Sequence, residues 1–209
     1  AAVGETLGMV MHEVKNIVQV AKLAEELLRR GLKTQNEKFV AHGMEGIAKA
    51  TREMDGFVWD MLSLTRNYRL EWQKVRMQSI LEELSRDLED KAAALQAKLD
   101  FEVEADFPEV DADGRALYRA LLNLVQNALD ACDKEESLIR VRVRSRDEKR
   151  YDIVIQDNGR GMDQKVQANL FQAFFSSKGK KGTGLGLMIV DRTVKAHHGE
   201  IHFESELGQ

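Results

Sequence analysis

The stretch Leu121-Leu122-Asn123-Leu124-Val125-Gln126-Asn127-Ala128-Leu129-Asp130 decides the fold of the larger part of this chain. Its apolar residues recur at helical spacing, and Asn123 and Asn127, four apart, share one face while leucines fill the other. The spacing predicts a helix from about Asp113 to Cys132. An amide oxygen on the asparagine face suits Mg2+, which takes oxygen donors and keeps water and phosphate oxygens in its other positions, so Asn127 is the candidate metal ligand. Two capped or buried asparagines on an ordinary amphipathic helix read the same way. The neighbouring segments have to decide.

Downstream, Ile139 to Arg144 and Tyr151 to Gln156 alternate apolar and polar residues as strands do. The second strand runs into Asp157-Asn158-Gly159-Arg160-Gly161-Met162, where the glycines allow a tight turn and a close approach of backbone to a ligand. A carboxylate at Asp157 can accept a hydrogen bond from the exocyclic amine of adenine. The same tripeptide is equally a plain turn signal. Gly182-Thr183-Gly184-Leu185-Gly186-Leu187 then opens a helix predicted over Met188 to Ala196, so that small residues and free backbone N–H groups meet where a helix N-terminus favours phosphate. No Lys-Ser or Lys-Thr follows the last glycine, which excludes a phosphate loop of the Walker kind. The spacing, with no strand immediately before it, excludes the dinucleotide fingerprint.

Upstream of the asparagine helix, a short segment around Leu70 to Val75 precedes a helix from about Gln78 to Ala97. Asp100-Phe101-Glu102-Val103-Glu104 then alternates as a strand. Pro108, the one proline, falls in the acidic loop that follows. At the far end His198-Gly199 reads as a helix-ending turn leading to a last strand. Residues 69–209 are therefore expected to form an α/β sandwich with helices on one face of a mixed sheet.

Residues 1–68 read differently. Leu7, Val10, Val14, Ile17, Val20, Ala24 and Leu27 mark one long helix, which Gly31 is expected to end. After Lys33-Thr34-Gln35-Asn36, a second series at Phe39, Gly43, Ile47, Ala50, Met54, Phe57, Met61 and Leu64 marks another. Two helices and a short loop make a hairpin, and a lone hairpin leaves broad apolar stripes in water. Two hairpins packed into a symmetric four-helix bundle bury both stripes, so a homodimer is expected; packing on the rest of the same chain is the alternative. The fold class is thus α+β: a helical hairpin forming a dimeric four-helix bundle, then the α/β sandwich.

The first helix carries His12-Glu13-Val14-Lys15-Asn16. A neutral imidazole can attack phosphorus in line when its other nitrogen is held in the right tautomer. Asn16, four residues on, shares the face of His12 and is placed to orient a water against a phosphohistidine. A histidine alone on a helix is more often structural or merely exposed, and the four other histidines, His42, His197, His198 and His202, have no comparable surroundings.

The asparagine helix, the DNGRG turn, the block Leu170-Phe171-Gln172-Ala173-Phe174-Phe175-Ser176-Ser177-Lys178 and the glycine motif, in this order, resemble the ATPase superfamily shared by gyrase, heat-shock-90 chaperones, MutL and histidine kinases. The likeness runs from about Leu70 to Leu207. With the segment around His12 added, the chain resembles the catalytic core of a sensor histidine kinase, especially the nitrogen-regulator-like kinases. This implies ATP and Mg2+ as cofactors, with Asn123 and Asn127 at the magnesium and phosphates and Asp157 at adenine. Gly159, Gly161, Gly182, Gly184 and Gly186 would shape the pocket and its lid, with Thr183 and Leu185 inside the same motif. It implies Glu13 as the residue that orients the imidazole. Lys178 reads either as a phosphate contact or as a solvated lid lysine. The implied activity is autophosphorylation of His12 and phosphoryl transfer to a response-regulator receiver domain, with dephosphorylation of that regulator as a further expectation.

The chain departs from the family at three places. Asn123 stands where hydrolytic members carry a water-activating glutamate, which disfavours simple ATP hydrolysis. Ile17 stands where the nearest kinases have proline, which implies a straighter helix below His12. The family also continues past Gln209 into a further strand, so the sheet is expected to lack an edge. Two readings of other classes remain: a degenerate kinase whose nucleotide site only rearranges partners, and an ATPase of the gyrase or MutL sort.

Bulk properties bound these readings. The 209 residues suffice for a domain of ordinary size and a smaller appendage. With 31 basic against 35 acidic side chains and a formal charge of -4, dispersed along the chain, no nucleic-acid surface is expected. Cys132, the one cysteine, excludes an internal disulfide and fits a reducing, cytoplasmic compartment, in a bacterium by the family likeness. No run approaches the ~20 apolar residues that span a bilayer, so membrane contact is expected only through segments outside this sequence. The chain begins inside a helical pattern with no start signal, and an upstream segment is expected.

Overall fold

The computed structural model describes residues 2–63, 69–134, 136–147, 150–171, 175 and 184–208, leaving aside the side chains of 2–7, 9 and 63. They fall into two units, one holding the described residues up to 63 and the other those from 69 onward. Among the described residues no helix is long and apolar enough to cross a membrane.

The first unit is a hairpin of α1 (Ala2–Thr34, 33 residues) and α2 (Glu37–Ser63, 27 residues). Gly31 lies against Val40, Leu28 against Gly43 and Ala24 against Gly46, which makes the pair antiparallel. Gly31 does not end α1, contrary to the sequence reading. It is buried, and a Cβ there would stand 2.6 Å from the Val40 nitrogen, so its lack of a side chain serves close helix approach. The helix ends at Gln35, whose left-handed φ of 52° brings the Asn36 N–H to the Gly31 carbonyl at 2.9 Å. Asn36 then caps α2, its Oδ1 accepting the Phe39 N–H at 3.2 Å. Ile17, Ala24, Ala50 and Trp59 are buried, whereas Met11, Val18, Val20, Leu23 and Leu32 of α1 are exposed apolar side chains; Met11, Val18 and Leu32 stand at multiples of seven residues, with Glu25 at the step between the last two.

The second unit is built on two small sheets. β1 (Gln73–Val75) pairs antiparallel with β3 (Val110–Ala112), and β2 (Lys98–Val103), β4 (Leu138–Ser145) and β5 (Tyr151–Asp157) form a mixed sheet in the order β2-β4-β5. β2 runs parallel to β4, and β5 antiparallel to it. The helices are α3 (Met77–Ala94), α4 (Gly114–Ala131), the short α5 (Gln164–Ala168) and α6 (Gly186–Ala196). One face of β4 explains the core: Ile139, Val141 and Val143 are sealed against Leu84 and Leu88 of α3 and Leu121, Val125 and Leu129 of α4. Each such side chain contributes about 1.5–3 kcal/mol on burial. Arg140, Arg142 and Arg144 alternate onto the opposite face, where Arg142 bridges Asp100 and Glu102 at 3.0 and 2.9 Å.

Three other readings differ from the structure, and the short α5 has no counterpart among the sequence readings. The acidic loop around Pro108 ends in β3, a three-residue strand that exists because β1, far earlier in the chain, pairs with it. α5 is a single short turn started by Asp163, whose Oδ1 accepts the Val166 N–H at 2.7 Å. α6 begins at Gly186, two residues before the expected start. The turn after α6 forms, with His198 rather than a glycine taking the positive φ of 60°, but the strand expected beyond it does not. Among the described residues no ladder takes up residues 199–206, and a strand without a partner leaves its backbone groups to solvent.

Candidate functional site

Within the hairpin unit His12 is exposed on α1, and Asn16 Nδ2 stands 3.2 Å from its Nδ1. The i to i+4 spacing produces that contact directly. Glu13 is half-buried and makes no hydrogen bond to His12 among the described residues, because adjacent helical residues point about 100° apart. The group seen on Nδ1 is thus Asn16, not the expected Glu13. An amide nitrogen can only donate, so this arrangement leaves the ring proton on Nε2. A half-turn of the amide presents its oxygen to an Nδ1–H instead and frees the Nε2 lone pair.

In the second unit α4 is the common wall. Asp113 caps it, accepting the Ala116 N–H on Oδ1 at 2.9 Å and the Glu71 N–H on Oδ2 at 2.9 Å. Asn123, Asn127 and Ala131 follow one another at four-residue steps and so share a face. A Cβ at Gly186 would stand 2.8 Å from Asn123 Oδ1, and one at Gly159 would stand 2.5 Å from the Ala131 carbonyl oxygen. Gly159 and Gly186 are therefore seated on this face, with the half-buried Asn127 on the step between them. Asn123 Nδ2 is sealed from solvent and has no hydrogen-bond partner among the described residues. An orphaned buried donor beside a glycine-lined helix start is what an anionic oxygen would satisfy.

The DNGRG turn is held from several sides. Asp157 ends β5 with an exposed carboxylate, one oxygen of which accepts the Gly159 N–H at 3.0 Å. The Arg160 N–H donates to the Ala131 carbonyl at 3.0 Å and fixes the turn to the end of α4. Gly161 has a φ of +67°, and a Cβ there would fall 2.0 Å from the Glu206 carbonyl oxygen, so no other residue fits. Gly184 also has a positive φ of 67°, and Leu185 is buried at the start of α6. Lys178, Gly182 and Thr183 lie outside the described residues.

Two residues escaped the sequence reading. Asn158 passed as a turn former, but its Oδ1 accepts the Leu138 N–H at 2.7 Å and its Nδ2 donates to the Glu136 carbonyl at 2.9 Å. His197 passed as unsupported, yet its Nε2 accepts the Asp113 N–H at 3.0 Å while Nδ1 contacts the Thr193 carbonyl at 2.8 Å. α6 is thereby tied to α4 at both ends. Among the described residues no three His, Cys, Asp or Glu side chains converge on a metal position. A magnesium ion here would take an asparagine oxygen together with phosphate oxygens and water, the donor set it favours.

Comparison with known proteins places this geometry. Residues 112–209 match the family described as histidine kinase-, DNA gyrase B- and HSP90-like ATPase. The chain is 28% identical over 207 residues to the signal transduction histidine-protein kinase AtoS of Escherichia coli (strain K12), covering 98% of this chain and 33% of that protein. Full-length ShkA, solved in complex with AMPPNP, shares the fold at a TM-score of 0.65 and 23% identity, over 91% of this chain and 43% of that one. Histidine kinase ThkA, solved in complex with response regulator protein TrrA, shares it at 0.58 and 19%, over 97% and 59%. The chain spans between 27% and 56% of the length of the curated relatives that match nearly all of it.

Proposed function

Because the chain is a sensor histidine kinase catalytic core, with residues 112–209 in the histidine kinase-, gyrase B- and HSP90-like ATPase family, we propose that it phosphorylates its own His12 from ATP and passes the phosphoryl group to an aspartate of a response-regulator receiver domain. The observation that carries this reading is the face of α4 on which Gly186 meets Asn123 and Gly159 meets Ala131, with Asn127 on the step between them. Adenine would donate its amine hydrogen to the exposed carboxylate of Asp157, and the phosphates would take the sealed Nδ2 of Asn123 and the amides at the start of α6. Mg2+, held by Asn127 and the phosphates, would neutralise charge on the transferring group.

The transfer itself asks for position more than for covalent help. An imidazole lone pair of His12 forms the N–P bond to the γ-phosphorus as the bond to the β–γ bridging oxygen breaks, and ADP departs with that electron pair. The ring attacks through Nε2, and Asn16, on the same helix face, would orient a water against the phosphorylated receiver in the phosphatase step. Glu13 is close enough in sequence to take the ring proton after a side-chain rearrangement. A carboxylate oxygen of the receiver then attacks the same phosphorus, and the imidazole leaves.

The exposed apolar side chains of α1, Met11, Val18 and Leu32 among them, support a homodimer through the hairpins, with a second hairpin completing a four-helix bundle. In the experiment, γ-labelled Mg-ATP is added to the chain and a receiver domain follows. Label that enters the chain and then chases onto the receiver is the expected course. Free phosphate released without a labelled chain would make this an ATPase instead, and bound ATP with neither product would make it a nucleotide-gated module.

A further inference from the structure

We infer that Asn158 is a positioning residue for adenine recognition: by pinning the entry of β4 to the end of β5 it sets the direction of the Asp157 carboxylate, and with it the preference for adenine over guanine nucleotides. The inference rests on the nucleotide reading above. The β4–β5 ladder ends at the pair Ile139 and Asp157. One residue later the backbone turns away, and Asn158 continues the pairing with its side chain, taking the Leu138 N–H at 2.7 Å and giving to the Glu136 carbonyl at 2.9 Å. Its own N–H reaches the Leu138 carbonyl at 3.3 Å. Only an amide of this length supplies both a donor and an acceptor here; an aspartate offers no donor and a serine is shorter.

The bonds hold the peptide that carries Asp157. Gly159 occupies one carboxylate oxygen from the other side at 3.0 Å, which leaves the second oxygen for a ligand. Adenine presents an N–H donor at its sixth position, where guanine presents a carbonyl acceptor. A carboxylate held rigidly accepts from the first and repels the second. Once the turn can rotate, the contact with adenine weakens and the penalty against guanine relaxes.

The test is calorimetric titration of the 209-residue chain with Mg-ATP and with Mg-GTP. Three proteins are compared: wild type, Asn158→Ala and Ser137→Ala. Ser137 is buried at the same entry to β4, but its hydroxyl donates to the Lys134 carbonyl at 2.9 Å and not to the turn, so its loss measures destabilisation alone. For Asn158→Ala the ATP-to-GTP preference should fall about tenfold, as expected for a misdirected hydrogen bond to a charged group. Ser137→Ala should keep the preference at an equal or larger drop in Tm. Should Asn158→Ala not fold, Asn158→Asp, which keeps the acceptor for Leu138 and loses the donor to Glu136, is read by the same ratio. A wild-type preference in the Asn158 variant overturns this inference alone. A wild type that binds neither nucleotide overturns the nucleotide reading, and this inference with it.

Discussion

Asp157 has one carboxylate oxygen engaged by the Gly159 N–H, and the group as a whole is open to solvent. An amide in its place can present a donor to the adenine amine where an acceptor is needed, while the turn keeps its glycines and its bonds to α4. Asp157→Asn should therefore abolish ATP binding by calorimetry and leave the far-UV spectrum and Tm near those of wild type; unchanged ATP affinity would remove Asp157 from the site. Asn16 carries a second prediction. If its amide orients a water against the phosphorylated receiver, Asn16→Ala should lose most phosphatase activity, measured as receiver-phosphate decay with ADP present, and keep autophosphorylation within about threefold, a loss of less than 1 kcal/mol. The 3.2 Å contact to His12 Nδ1 supplies the competing outcome. A parallel loss of both activities would make Asn16 the support of the imidazole.

At the scale of elements, α4 gathers the unit, and its amphipathic pattern made it legible from sequence alone. β4 and β5 were legible for a similar reason, since their alternation matches the face that packs on α3 and α4. β3 was not, because three residues carry too little pattern and the strand depends on β1 for its existence. Gly31 misled because a glycine that ends a helix and one that admits a neighbouring helix are identical in sequence. The α3–α4 contact includes the Tyr118 hydroxyl donating to Asp87. Burial first, and then this hydrogen bond, push the Tyr118 phenol above its ordinary value of 10.0. Folding thus favours the protonated phenol, so its contribution is complete below pH 10.0 and is lost as pH rises toward the higher folded-state value. Tyr118→Phe should cost about 1 kcal/mol at neutral pH and flatten the alkaline fall in Tm above pH ~10; an unchanged alkaline slope would separate that fall from Tyr118.

For the whole molecule, the sequence carried the division of labour between a helical hairpin and a mixed-sheet unit because the two differ in hydrophobic period. The backbone of the candidate site was legible where a motif fixes a turn or a close approach, as at Gly159, Gly161 and Gly186. It was illegible where a side chain reaches across the fold, as Asn158 and His197 do. If the exposed apolar side chains of α1 line a dimer seam, Val18→Glu combined with Leu32→Glu should give a monomer by sedimentation equilibrium, with ATP affinity unchanged because the residues proposed to hold the nucleotide belong to the other unit. A variant that stays dimeric would move the seam elsewhere.

Whether His12 receives the γ-phosphoryl group of ATP is read by peptide mapping after incubation with Mg-ATP, under neutral conditions that preserve phosphohistidine. An acid-labile phosphate is expected on the peptide containing His12, absent from His12→Gln although that variant still binds ATP. Phosphate on any other residue, or a label that persists in His12→Gln, would contradict transfer to His12.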